Sequence, residues 1–277
     1  MNKRINTNIT HRANTSDTNT DNTNRIKHRI LVMSAKGGVG KTTIAVNLAY
    51  ALSKKGFRTG LLDADIHGPN APKMLGLQNG KLLVKNNKII PVSIKENLRV
   101  VSMAFLADKE KAVIWRGPLK HKLIRQFIED VDWGELDYQI IDLPPGTGDE
   151  SISISQLLNN ITGSVIVSTP QQVALLDVIK SINFSREMKV PIIGLVENMA
   201  GDVFGRGSVK TLAHNEHINF LGSLELDKRI TQFGDKGKPF IINSTWDISE
   251  SFNRIVDRII MSTKNKEKKG QIQKFKE

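Results

Sequence analysis

At 277 residues and 30.9 kDa the chain allows two domains or one large α/β domain; with 39% hydrophobic and 25% charged residues and no apolar run near ~18 residues, it excludes an integral membrane protein. It contains no cysteine, which excludes disulfides, a catalytic thiol, thiolate zinc and a cysteine-held iron–sulfur cluster in this chain. The formal charge of +12 sits mostly at the ends, where residues 1–27 carry five Lys/Arg against two Asp and residues 264–277 six Lys against two Glu, so the mildly basic body is not expected to bind nucleic acid.

In chain order, the first 24 residues hold seven Asn and six Thr with almost nothing apolar to bury, which predicts a disordered polar tail over residues 1–27. That start lacks the apolar core of a secretory signal, and a cytoplasmic protein is expected. Over residues 28–262, short apolar runs alternate with helical patterns, as βαβ units require, and predict an α/β fold with a mostly parallel twisted sheet and helices on both faces. Strands are predicted over Arg29–Ser34, Thr59–Ala64, Leu98–Ala104, Tyr138–Leu143, Ser164–Ser168, Ile192–Glu197 and Asn219–Gly222. Helices are predicted over Thr42–Lys55, with Gly56 as its cap, and over Leu119–Val131, Val173–Lys189, Ser208–His214 and Ile248–Ser262. The runs Ile30–Met33 and Val165–Val167 are apolar on both faces, as strands covered by helices on each side should be. Lys81–Pro91, with Asn86-Asn87 at its middle, reads as a small hairpin. Residues 263–277 read as a Lys-rich tail whose only apolar residues are Ile272 and Phe275, too few to make a membrane an expected partner.

One segment carries chemistry directly. Ser34-Ala35-Lys36-Gly37-Gly38-Val39-Gly40-Lys41-Thr42-Thr43 follows a predicted strand and opens a predicted helix. Glycines let such a loop turn its N–H groups inward, and the helix N-terminus adds positive dipole. Lys41 can reach the β- and γ-phosphates of ATP, and the Thr42 hydroxyl can ligate Mg²⁺. Ala35 stands where the strict phosphate-loop pattern has glycine, so the loop is a variant. A second cation in the loop, Lys36, makes electrostatic sense beside concentrated negative charge and is read as contacting the nucleotide of a partner protomer; the alternative is a solvated lysine.

Phosphoryl transfer also needs carboxylates at neighbouring strand ends. Leu61-Leu62-Asp63-Ala64-Asp65 and Ile140-Ile141-Asp142 supply them. Asp142 is expected at Mg²⁺, Asp65 at the attacking water, and Asp63 and Asp149 in support; a lone Asp at a strand or helix end is otherwise a turn or cap residue. His214 and His217 lack nearby carboxylates and read as exposed or capping residues.

In these residues the chain resembles the Mrp/ApbC family of iron–sulfur cluster carrier and assembly ATPases, within the wider ParA/MinD class of P-loop NTPases (SIMIBI class). The matching blocks are Lys36–Thr43, Asp63–Asn70, Trp115-Arg116-Gly117-Pro118, Asp142–Asp149, Glu197-Asn198-Met199 and Asp235–Pro239. The resemblance implies an ATP-binding homodimer with nucleotide near the subunit interface, Lys36 as signature lysine, Asn198 near the adenine ring, and an iron–sulfur scaffold or client protein as partner. Family members carry a Cys-x-x-Cys pair after the Asn-Met element; here Ala200-Gly201-Asp202-Val203 runs straight into Phe204-Gly205, and the cysteine segment is deleted. A cluster held in the family's manner is therefore excluded, and a cysteine-bearing partner is expected to supply the ligands. Two other readings stand beside this one. A ParA- or MinD-like positioning ATPase would bind DNA or membrane in its ATP dimer, and a metabolic kinase would need an acceptor pocket.

Overall fold

The computed structural model describes residues 25–66, 68–94, 97–106 and 117–274. Of the expected N-terminal tail over residues 1–27, residues 1–24 lie outside the described residues, as does the Trp115-Arg116 pair, and Ile26 and Lys27 correct its end because they begin the first strand.

Strand β1 (Ile26–Met33) runs through the middle of an eight-stranded sheet. The others are β2 (Thr59–Asp63), β5 (Val92–Ile94), β6 (Leu98–Ser102), β7 (Leu136–Asp142), β8 (Ile161–Ser168), β9 (Ile192–Ala200) and β10 (Phe220–Glu225), and their order is β10-β9-β8-β1-β7-β2-β6-β5. Every pairing is parallel except the edge pair β5–β6. The expected hairpin is present as β3 (Leu83–Lys85) and β4 (Lys88–Ile90), with Asn86 and Asn87 at φ +51° and +59°, the left-handed values asparagine tolerates best among non-glycine residues.

Successive strand side chains point to opposite faces, and each face is covered. Ile30, Val32, Leu61, Ile140, Val165 and Val167 pack on one side against α1 (Lys41–Lys54) and α8 (Asp247–Lys274). Leu31, Met33, Leu62, Ile141 and Ile166 pack on the other against α3 (Gly117–Glu129), α4 (Asp149–Leu157), α5 (Gln172–Glu187) and α6 (Ser208–Asn215). Each such Ile or Leu, fully buried, contributes about 1.5–3 kcal/mol of transfer free energy, which explains runs apolar on both faces.

Among the described strands and α-helices, four were not anticipated: β5, α4, the single turn α2 (Ala71–Met74) and α7 (Lys228–Asp235). The Ser-Ile-Ser-Ile-Ser alternation of α4 carries a strand-like period of two, yet its buried Ile154 belongs to the helix-side core. Helix α8 corrects the expected end at Ser262. It continues to Lys274 because Thr263 is buried against Tyr138, whose hydroxyl lies 2.9 Å from Thr263 Oγ1, and because Lys266 Nζ donates to the Thr162 carbonyl at 2.8 Å. Among the described residues no helix is long and apolar enough to cross a membrane.

Candidate functional site: a phosphate loop with converging carboxylates

The loop leaves β1 after Met33 and enters α1 at Lys41. Gly38 and Gly40 have φ of +82° and +87°, values that suit glycine, and Gly40 is also the helix N-cap. A Cβ at Gly40 would press on the Asn198 amide, so a side chain there would both strain the backbone and push Asn198 aside. No side chain caps α1 and no acid stands in its first turn, which leaves the N-terminal N–H groups open to an anion. Ser34 Oγ donates to the Lys36 carbonyl within the loop, and the Lys36 side chain is half-buried.

Two neighbouring strands, β2 and β7, deliver the carboxylates to the edge where β1 runs into the loop. Asp142 on β7 is in register with Val32 on β1 and with Asp63 on β2. Lys41 Nζ lies 2.7 Å from Asp142 Oδ1, and Thr42 Oγ1 donates to Asp142 Oδ2 at 2.7 Å. Asp142 is fully buried; burial pushes its carboxyl upward, against the pull of Lys41 and Thr42. Asp65 follows β2 by two residues and is nearly buried, its Oδ1 accepting from the Gly68 N–H at 3.1 Å. The loop from Pro144 to Gly148 is tied to the phosphate loop through Gly146 N–H donating to the Ser34 carbonyl at 2.9 Å. Asp149 is exposed in the first turn of α4, where its charge suits the helix dipole.

Asp63 is also fully buried, and burial together with the charge of Asp142 pushes its carboxyl up to about 7. Ser102 Oγ, at the end of β6, donates to Asp63 Oδ2 at 2.9 Å; the Ala71 and Asp65 N–H groups donate to Oδ2 and Oδ1 at 3.2 and 3.3 Å. Ser102 carries no sequence motif. The available signal was a polar residue ending an apolar strand.

Asn198, at the end of β9, donates from Nδ2 to the Val39 carbonyl at 2.9 Å and so braces the phosphate loop. It also lines a cavity of about 300 Å³ with Thr42, Thr43, Met199, Leu226 and Ile230, a volume in the range of small-ligand sites. A larger cavity, about 580 Å³, lies on the other side of the β10–α7 connection; its Arg206 and Arg229 are paired with Glu225 and Asp227, and it contains no phosphate-loop residue. The neighbouring buried Glu197 accepts from the Gly207 and Val209 N–H groups and from Ser223 Oγ. Gly201 and Gly205 exchange two backbone hydrogen bonds of 2.9 and 2.7 Å, closing a tight turn over residues 202–204. His214 and His217 are both exposed, and among the described residues no cluster of three or more His, Cys, Asp or Glu side chains could hold a metal.

The hard oxygens of Thr42 and Asp142, aimed at each other across the N-terminus of α1, fit Mg²⁺, which uses one or two protein oxygens and completes its shell with phosphate and water.

The model of the NUBPL iron-transfer P-loop NTPases, of the ParA class, matches residues 25–260. A protein of Methanocaldococcus jannaschii named iron–sulfur cluster carrier protein is 45% identical over 257 residues, which is 89% of this chain and 88% of that protein. A cytosolic Fe-S cluster assembly factor NUBP2 homolog of Dictyostelium discoideum is 45% identical over 77% of this chain and 86% of its own length. A nucleotide-binding protein of Archaeoglobus fulgidus, solved in complex with ADP, superposes with a TM-score of 0.72 at 36% identity, covering 84% of this chain and 94% of its own. The cell division ATPase MinD of Pyrococcus furiosus, at 21% identity and a TM-score of 0.70 over 85% of this chain and 99% of its own, shares the fold. With the family model matched over residues 25–260 and 45% identity to a carrier protein along most of its length, the chain, with its phosphate loop and strand-end carboxylates, belongs to the NUBPL iron-transfer family of P-loop NTPases.

Proposed function

We propose that this protein is a Mg²⁺-dependent ATPase that works as a nucleotide-switched homodimer in iron–sulfur cluster delivery. The observation that carries this reading is the convergence of Lys41, Thr42 and Asp142 at the open N-terminus of α1, with Asp65 two residues beyond the adjacent strand end. In the nucleotide complex the N–H groups of Gly37 to Thr43 bind the β- and γ-phosphates. Lys41 exchanges the Asp142 carboxylate for phosphate oxygen. Thr42 and Asp142 would hold Mg²⁺, whose charge offsets that of the phosphates. Asp65 orients the attacking water, with Asp63 and Asp149 in support. The cavity beside Asn198 takes the base; that the similar Archaeoglobus protein was solved with ADP supports nucleotide binding as such. Lys36 reaches the nucleotide of the partner protomer.

Cluster delivery rests on the carrier proteins to which the chain is similar. With no cysteine of its own, the chain handles the cluster as cargo whose thiolate ligands belong to a partner, an iron–sulfur scaffold or client protein in the cytoplasm. Equilibrium dialysis with labelled ATP and Mg²⁺, followed by turnover assays of wild type and Lys41→Ala, tests the reading. Uptake and turnover by wild type, both lost in the variant, are expected. A well-folded wild-type protein that takes up no ATP would overturn it.

A further inference from the structure

Resting on the hydrolysis reading above, we propose that Ser102 is a positioning residue for ATP cleavage, acting through Asp63 to aim Asp65 at the phosphate site.

Strand β2 ends at Asp63, so the aim of Asp65 depends on how the chain just beyond that end is anchored. Asp63 is that anchor. Its two oxygens receive donors from three directions: Ser102 Oγ from the neighbouring strand β6, the Ala71 N–H from the start of α2, and the N–H of Asp65 itself. Ser102 is the register partner of Asp63 and is fully buried, so no water replaces its hydroxyl. Ser102 Oγ accepts from the Ala104 N–H at 3.1 Å and, toward the ionised Asp63, donates its proton to Oδ2. The hydroxyl thus fixes one oxygen of a carboxylate whose other oxygen holds the backbone of Asp65. Without it, Oδ2 keeps only the 3.2 Å bond from the Ala71 N–H, Asp63 holds the Asp65 N–H less firmly, and the Asp65 carboxylate shifts.

This role predicts a specific kinetic pattern, because the bonds to phosphate come from the loop after β1 and from α1, not from Ser102. A displaced water-orienting group slows the chemical step while substrate binding stays intact; misplacement by ~1 Å can cost about 100-fold.

The experiment is steady-state ATP hydrolysis by Ser102→Ala and Ser102→Thr, with labelled-ATP dialysis and a thermal melt on each. Expected are a kcat at least about tenfold down in Ser102→Ala with KM and ATP affinity within about twofold, and at least half of wild-type kcat in Ser102→Thr, which restores the hydroxyl. Wild-type kcat in Ser102→Ala, parallel loss of kcat and ATP affinity, or a threonine variant as slow as the alanine one would overturn the proposal. Should Ser102→Ala fail to fold, Asp63→Asn enters the same assay. Its amide cannot accept at both ends, so a kcat loss with ATP affinity retained is expected, and an unchanged kcat overturns the role. A wild-type protein that binds ATP without cleaving it would overturn the hydrolysis reading itself, and this role with it.

Discussion

Gly40 and Gly37 sit three residues apart in the same loop and differ in what they demand. Gly40 combines a left-handed φ with the close approach of Asn198, whereas Gly37 has an ordinary φ and no atom within 4 Å of a Cβ placed on it. Gly40→Ala therefore costs about 1–2 kcal/mol of strain and dislodges the Asn198 brace on Val39, and its ATP affinity is expected to fall at least about tenfold. Gly37→Ala should melt within a degree or two of wild type. Denaturant unfolding and ATP titration of both variants check the pair; equal behaviour would refute the distinction. The sequence motif alone treats these glycines alike, because φ and an approaching side chain from β9 are properties of the folded chain.

Asp63 supports a second residue-level prediction. Its carboxyl is pushed from the ordinary carboxylate range to about 7 in the fold. It holds its proton more tightly folded than unfolded, so the nucleotide- and magnesium-free protein should lose stability as pH rises from about 4 through about 7. Asp63→Asn cannot ionise, and its denaturation midpoint should fall less than that of wild type between pH 5 and pH 8. A variant with the wild-type slope would remove Asp63 as the cause.

At the scale of elements, legibility follows burial on both faces. The central strands are readable because most of their positions are buried and apolar on either face, with polar residues such as Arg29, Gln139 and Ser168 as exceptions, and the phosphate loop because a strand, glycines, a lysine and a helix coincide. Helix α4 escapes notice since its serines and isoleucines alternate like a strand, and the last turns of α8 escape since they lack an apolar stripe. Among the described residues, α8 is held beyond Ser262 by the Lys266 ammonium bonded to the Thr162 carbonyl and by Thr263 against the Tyr138 hydroxyl. Tyr138→Phe removes that bond and should cost about 1 kcal/mol in urea unfolding, with ATP turnover unchanged, since Tyr138 lies at the sheet end away from Asp142. The block Asp235–Pro239, legible only as a family resemblance, has a physical reason in the fold. Gly237, at φ +69°, meets Gly76 so closely that a Cβ would fall 2.6 Å from the Gly76 Cα, and α2 and α7 are joined backbone to backbone.

For the whole molecule, the strand order sets where chemistry can occur. Strand β1 has β7 and β8 as neighbours, so its outgoing loop lies in the crevice where the sheet's connections diverge, the general ligand position of open α/β sheets. Everything assigned to ATP lies on that edge. So does the turn at residues 200–207, where the resemblance leads one to expect two cysteines and where the chain closes on itself through Gly201 and Gly205. Soft iron needs thiolate, and neither the sequence nor any acidic or histidine cluster among the described residues offers a substitute. Anaerobic reconstitution of the lone chain with iron and sulfide should therefore leave well under stoichiometric iron after desalting and no charge-transfer absorbance in the visible range, with or without ATP. Adding a cysteine-bearing scaffold should allow cluster to co-purify with the complex, and the retained iron should depend on the nucleotide state if the switch governs delivery. Stoichiometric iron and sulfide on the protein alone would mean that oxygen and nitrogen ligands suffice, and the division of labour between an ATP-bearing chain and a thiolate-bearing partner would fall.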